Sequence, residues 1–368
     1  MEEMSTIHLV AWAGFAAGLV FGAVANWSNF CTMGSLSDIV FMGDYNRFRA
    51  WMLAIAVALA GTQALAAAEV IDLSRSIYLT PNLGWLGAIL GGLMFGFGMT
   101  MAGGCANKNL VRIGGGNLKS VVVILVMGLF AYMTLRGLIG LARVEMEALA
   151  NLDLAAAAEV ESQGLPDLAA LATGLEADML RWVLVAAIAG GLAVFCFASA
   201  SFRRSPRDIL AGLLVGALVP AGWWITGVLG FDDFEPVALG SFTFVAPAGE
   251  SLQYLMTFSG TTINFGVATV GGVIVGSFLT ALVTRGFHVE AFADKGDMVR
   301  HLFGAAIMGV GGVLALGCTV GQGITGMSTL AAGSAIALLS ILAGGLVGLK
   351  YLEEGSLGGA IGALFARG

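Results

Sequence analysis

The chain has 368 residues, 58% hydrophobic and 11% charged, with a formal net charge of −7 and a mean hydropathy of +0.90. Soluble domains carry about a quarter charged residues, so this composition excludes an ordinary soluble domain. Four cysteines among apolar neighbours and three histidines exclude a small disulfide scaffold and a histidine-rich metal centre, and no HExxH, Walker or GxSxG segment is present.

Long uncharged runs follow one another along the chain: Leu9 to Phe30, Ala50 to Ala68, Leu83 to Ala106, Ser120 to Leu135 and Trp182 to Phe202. Ile209 to Phe231, Thr261 to Thr284, and His301 to Ser340 continuing to Leu349 complete the series. Crossing the hydrocarbon core takes about 20 such residues. The pattern predicts an all-α polytopic membrane protein of nine spans. The first run follows "MEEMSTIH", which has no positive segment, and no small-residue cleavage site ends it, so it reads as a retained span.

Basic residues near span ends favour the cytoplasm. With the amino terminus outside, the inner segments hold Arg47, Arg49, Lys108, Arg112, Lys119, Arg203, Arg204, Arg207, Arg285, Lys295, Arg300, Lys350 and Arg367. Only Arg75, Arg136, Arg143 and Arg181 of the 17 basic residues then fall outside, with the acidic stretches Glu145 to Asp178 and Asp232 to Glu250. The expected orientation is amino terminus out and carboxyl terminus in.

The alanine-rich acidic region 142–180 is expected outside the membrane, partly helical and broken near Gly164-Leu165-Pro166. It reads as a connector between a first half, 1–141, and a second half, 181–368, with a functional lid as the other reading. Setting Cys105 on Cys318 makes glycines coincide at Gly91 and Gly304, Gly96 and Gly309, Gly98 and Gly311, and Gly104 and Gly317. "AGLVFG" (Ala17 to Gly22) has an echo in "AGLLVG" (Ala211 to Gly216). In the topology above these echoes run in opposite senses. That is the mark of an inverted pseudo-repeat, an arrangement that often places a transport site at the midplane.

Three cysteines sit where an apolar helix gives way to glycine and small polar residues. Cys31 lies in "NFCTMGSLSD", with Asn29 before it and Thr32, Gly34, Ser35 and Asp38 after it. Cys105 follows Gly103 and Gly104 and precedes Asn107, Lys108 and Asn109; Cys318 follows Gly317 and precedes Thr319, Gly321, Gln322 and Gly323. Such segments suit broken or re-entrant half-helices, which persist at membrane depth only where protein or a water-filled path covers them. Half-helix amino ends present free N–H groups and a positive dipole end to an anion. A thiol is polarisable, weakly hydrogen-bonding and cheap to hold neutral in apolar surroundings. It touches a soft sulfur anion without clamping it, and passage requires binding strong enough to enter and weak enough to leave.

For any one of these cysteines the plain alternative is a small buried hydrophobe, the reading given to Cys196 in "VFCFA". Met33, Met94, Met99 and Met101 read as core filling rather than a copper path. Lys108 and Arg112 read as topology determinants, with an anion-attracting inner mouth as the alternative.

At "NFCTMGSLSD", "GGC" (Gly103 to Cys105) and "GCTVGQGITG" (Gly317 to Gly326) the chain resembles the YeeE/YedE family of sulfur-transport membrane proteins. The resemblance implies import of thiosulfate or a related sulfur compound, with Cys31, Cys105 and Cys318 lining the path. It also implies a bacterial inner membrane and a small cytosolic TusA-like sulfur carrier as partner. The insert 142–180 departs from the family, and near the position of Cys31 the second half has Trp223-Trp224-Ile225.

The expected function is channel-like import of thiosulfate or a related sulfur oxyanion through the lipid bilayer. No cofactor, metal or nucleic-acid partner is expected. Rival readings are a membrane thiol or persulfide exchange enzyme or redox sensor, and a transporter of another sulfur or selenium compound.

Overall fold

The computed structural model describes residues 6–232 and 237–365. Met1, Arg367 and Gly368, which bear on the orientation of the ends, and residues 233–236 of the second acidic stretch lie outside the described residues. Among the described residues nine helices are long and apolar enough to cross a membrane.

Helix α1 (Thr6–Ser28) is followed by a half-helix, α2 (Thr32–Ser37), which runs on as a π-turn over Asp38–Met42. Helices α3 (Asn46–Ala67) and α4 (Trp85–Met101) come next, and a second half-helix, α5 (Ala106–Gly114), leads to α6 (Leu118–Arg136). The insert carries α7 (Leu138–Ala150), α8 (Leu154–Ala158) and α9 (Leu165–Thr173). Helix α10 (Ala177–Phe197) and a single turn, α11 (Ala200–Arg203), precede α12 (Pro206–Trp224), which ends in a π-turn over Ile225–Leu229. Next come α13 (Val245–Met256), α14 (Phe265–Val283) and α15 (Lys295–Leu314). A last half-helical stretch, 319–328, contains a π-turn over Gly321–Gly326 and leads to α16 (Ala332–Glu354) and α17 (Leu357–Phe365). The strand pair is minimal: β1 (Asn82–Leu83) lies antiparallel to β2 (Leu152–Asp153), tying the insert to the chain before α4.

Local chemistry sets several of these starts. Asn117, Asn264 and Asp294 cap α6, α14 and α15 by accepting the amide three residues on, at 2.9, 2.8 and 2.8 Å. Side-chain caps of this kind satisfy amides that the helix leaves free. Pro206 opens α12, where its missing N–H costs nothing.

The helices pack in pairs that exchange the two parts of the chain. Helix α1 lies along α14 while α12 lies along α3; α4 packs on α16 while α15 packs on α6; and α4 crosses α15 directly. Two of the four glycine coincidences, Gly91 with Gly304 and Gly98 with Gly311, have their cause in that crossing, while Gly96 packs on α16 and Gly309 on α6. A Cβ on Gly91 would lie 2.6 Å from the Gly311 carbonyl oxygen, and one on Gly98 2.7 Å from that of Gly304. The contacts climb one helix as they descend the other, so α4 and α15 run antiparallel. Any side chain there forces the helices apart, an overpacking cost of about 1–3 kcal/mol.

Two elements add to the apolar pattern. The run His301 to Ser340 breaks at 315–318, where the Cys318 motif is expected to interrupt it, and a second time at 329–331. Helix α13 begins within the stretch Asp232 to Glu250, expected to be an external acidic loop, and runs on to Met256. Pro247, Glu250 and Ser251 keep it from reading as a span, yet its first turn buries Val245, Pro247, Ala248 and Gly249.

Candidate functional site

The three motif cysteines share one backbone device. Two residues before each, the chain turns left-handed: Asn29 (φ 59°), Gly103 (φ 69°) and Leu316 (φ 56°). The next amide then closes a six-residue loop, Phe30 to the Ala25 carbonyl at 3.2 Å, Gly104 to Met99 at 2.8 Å and Gly317 to Gly312 at 2.8 Å. This is a Schellman-type stop. Glycine adopts it freely, whereas leucine at 316 carries about 1 kcal/mol or more of strain. Each cysteine follows at once and starts a half-helix, so a full helix ends and a short one begins within four residues.

Cys31 and Cys318 cap their half-helices with sulfur, accepting the amides of Gly34 and Gly321, each at 3.3 Å. Cys105 instead donates to Asn107 Oδ1 at 2.6 Å. All three are buried, with exposures of 3%, 0% and 0% for Cys31, Cys105 and Cys318, and all carry free thiols.

The fold brings the breaks into one row. The Cys31 thiol faces the Cys105 thiol, with Lys108 and Arg112 close by. Cys105 in turn lies beside the Thr319 hydroxyl, and Cys318 lies beside Thr243 and the Phe244 backbone. Next to each cysteine stands a buried polar atom without a hydrogen-bond partner: Thr32 Oγ1, Asn107 Nδ2 and Thr319 Oγ1. Leaving such an atom unpaired costs about 1–3 kcal/mol. Three of them lie within two residues of a thiol.

The remaining predicted residues hold this geometry. Asn29 accepts from Lys108 Nζ across the two breaks. The Gly104 carbonyl accepts from Asn109 Nδ2 at 2.8 Å, and that of Gly103 from Arg112 at 2.6 Å. Gln322 donates to the Ala315 carbonyl, much as Asn109 does in the other half. Gly317 packs against Gln322, and Gly323 lets Trp51 approach to 3.1 Å from where a Cβ would stand. At the Cys31 end the buried Asp38 forms a bidentate pair with Arg47, so this end of the row is rich in cations.

Cys196 is elsewhere, donating to the Arg49 carbonyl at 3.1 Å between α10 and α3. Among the described residues no group of three or more His, Cys, Asp or Glu side chains forms a metal-binding cluster. Sequence reasoning missed Thr243 and Phe244. Phe244 stands before α13 as Cys31 stands before α2, so the counterpart of Cys31 is here and not at Trp223. Trp223 is a packing residue in α12 whose Nε1 donates to Ser328 Oγ at 3.2 Å. The signal was faint: "SFTFVAP" has no glycine break, and only its small polar residues hint at an approach to the site.

Among the described residues, nine apolar helices around a buried row of half-helix ends define a polytopic membrane protein. The chain belongs to the family described as Sulphur transport, whose profile matches residues 27–347. It is similar to the thiosulfate transporter TsuA of Escherichia coli (strain K12), 27% identical over 325 residues that cover 85% of this chain and 86% of that protein. It is also similar to the thiosulfate transporter TsuA of Spirochaeta thermophila, 24% identical over 326 residues, 88% of this chain and 93% of that protein.

Proposed function

We propose that the chain imports thiosulfate, or a closely related sulfur oxyanion, across a bacterial inner membrane along the row Cys318, Cys105, Cys31. The observation that carries this reading is the row itself, three buried thiols each next to an unpartnered polar atom. The names of its relatives agree with that cargo. The anion passes from one weak contact to the next: a soft thiol meets its terminal sulfur while Thr319, Asn107 and Thr32 meet its oxygens. Neutral contacts of this kind hold an anion without trapping it.

In this reading the amino terminus is periplasmic and the carboxyl terminus cytoplasmic. The cations Lys108, Arg112 and Arg47 then surround the exit. Segments 1–141 and 181–368 act as inverted halves about the midplane, with 142–180 outside, and the antiparallel crossing of α4 and α15 supports that division. A TusA-like carrier in the cytosol is the partner this exit would serve.

Uptake of labelled thiosulfate into reconstituted vesicles tests the reading. The parent protein accumulates label, sulfur anions compete for it, and Cys105→Ala loses most of it at normal protein levels. Absence of uptake by the parent protein overturns the reading. The Cys31–Cys105 contact favours one second reading, thiol or persulfide exchange between those two residues.

A further inference from the structure

Segment 162–165 of the insert lies across the amino end of α16. The Ala332 amide donates to the Gln163 carbonyl at 3.0 Å, the Gly333 amide donates to Gln163 Oε1 at 3.2 Å, and the Leu165 amide donates to the Leu330 carbonyl at 2.8 Å. The residue before α16 is Ala331, which has no side chain able to cap. Two oxygens of Gln163 therefore occupy first-turn amides at the positive end of a 23-residue helix, the kind of place an anion takes.

Beneath Gln163 is a cavity of about 20 Å³ lined by Tyr78, Gln322, Gly333 and Ser334, room for about one water. Ser334 Oγ and Gln322 Oε1 are buried without a partner, and both converge on Gly326, where a Cβ would meet them at 2.2 and 2.8 Å. Tyr78 is buried near the Cys318 thiol.

A matching chamber lies where residues 102–120 of the first half meet Glu290 and His301 of the second. There a cavity of about 80 Å³ is lined by Asn109, Ser120, Glu290 and His301, with Arg112 and Lys119. Asn109 stands where Gln322 does and Ser120 where Ser334 does. The Leu118 amide donates to the Glu290 carbonyl at 2.9 Å, as that of Ala332 does to Gln163. In this chamber Ser120 Oγ is bonded to Asn109 Oδ1 at 2.9 Å, and Glu290 is anchored by Lys119 at 3.1 Å. Gln163 has no such ion pair, and its Nε2 reaches only the Asn82 carbonyl at 3.4 Å. One strap is locked by charge; the other is held by neutral bonds over unsatisfied groups.

We propose that the α16 amides, Ser334, Gln322 and Tyr78 form an entry subsite for the oxygen end of the transported sulfur anion. In this proposal Gln163 is the plug that the anion displaces. The proposal rests on the transport reading above. The oxygens of the anion take over the Ala332 and Gly333 amides and the Ser334 hydroxyl, and its sulfur is handed on towards Cys318. Part of the apparent affinity is lost to opening the plug, because only the open fraction binds.

Uptake kinetics in vesicles separate the outcomes. Gln163→Ala weakens the plug and lowers KM severalfold with kcat little changed. Gln163→Glu sets a carboxylate on the same amides, which the helix end favours, and raises KM by about tenfold or more. Ser334→Ala raises KM. A residue that merely holds the insert in place would shift both Gln163 variants the same way. Hydrogen exchange on the parent protein provides a second readout that needs no variant: added thiosulfate speeds exchange at the Leu165 amide as the strap leaves. Parallel KM shifts in the two Gln163 variants, unmoved KM, or unchanged Leu165 exchange each overturn the subsite while parent uptake leaves the transport reading standing. No uptake by the parent removes both.

Discussion

Thr319, the neighbour of Cys318 in sequence, lies beside the Cys105 thiol, more than 200 residues away in the chain. This contact joins the two half-helix breaks, so the thiols form one row and not three separate sites. Cys105→Ala and Cys318→Ala are each expected to abolish or strongly reduce thiosulfate uptake in a folded protein, and Thr319→Val to reduce it. Serine is expected to rescue poorly, because a hydroxyl is less polarisable and more strongly hydrated than a thiol. Mass spectrometry of protein quenched during turnover distinguishes contact from exchange. A persulfide, or a disulfide joining Cys31 or Cys318 to Cys105, that decays in step with uptake would replace the contact mechanism.

Cys196 provides the internal control. Its thiol donates one bond to the Arg49 carbonyl, so Cys196→Ala is expected to cost about 1 kcal/mol of stability. Uptake should stay near the parent level. A large loss of uptake at normal protein level would mean the thiol row has been misassigned.

The Asp38–Arg47 pair pins the half-helix after Cys31 to the start of α3. Asp38 is buried while Arg47 is partly exposed, so removing Arg47 leaves a buried carboxylate without its partner, a cost of about 1–3 kcal/mol. Arg47→Ala is therefore expected to lower the thermal midpoint in detergent more than the double change Asp38→Asn with Arg47→Ala. Equal midpoints would show that the pair contributes no coupling.

The orientation is open to direct measurement. Terminal reporter fusions are expected to place Met1 in the periplasm and Gly368 in the cytoplasm. A periplasmic carboxyl-terminal reporter would reverse entry and exit along the row.

Acid should loosen the strap at Glu290. Its hydrogen bond to Lys119 holds the carboxyl below the ordinary 4.5. A depressed value in the folded state means the contribution is complete above 4.5 and fades as pH falls through the lowered value. Glu290→Gln is expected to flatten the pH dependence of the thermal midpoint on the acid side of 4.5. An unchanged pH profile would show that the Lys119 contact does not contribute.

Much of the site was legible because its signals are local. A helix stop takes a left-handed residue close to the cysteine, and in "GGC" Gly103 supplies it, so that break is legible in the residue type. Asn29 and Leu316 show the limit, since both take the left-handed turn with a side chain, and nothing in their residue type demanded it. The glycine coincidences were visible as a pattern, but the cause of those at Gly91, Gly98, Gly304 and Gly311, the close crossing of α4 and α15, is a contact between distant segments.

By itself the sequence determined the membrane class, the nine apolar helices, the breaks at Cys31, Cys105 and Cys318, and the family. Each of these depends on composition or spacing within a single segment, which the chain carries without folding. Only the tertiary structure decided that Cys31 meets Cys105, that Thr243 and Phe244 come to Cys318, and that Gln163 reaches the amino end of α16. Those contacts join segments far apart in the chain. Their geometry comes from how whole helices cross, and no local period records a crossing.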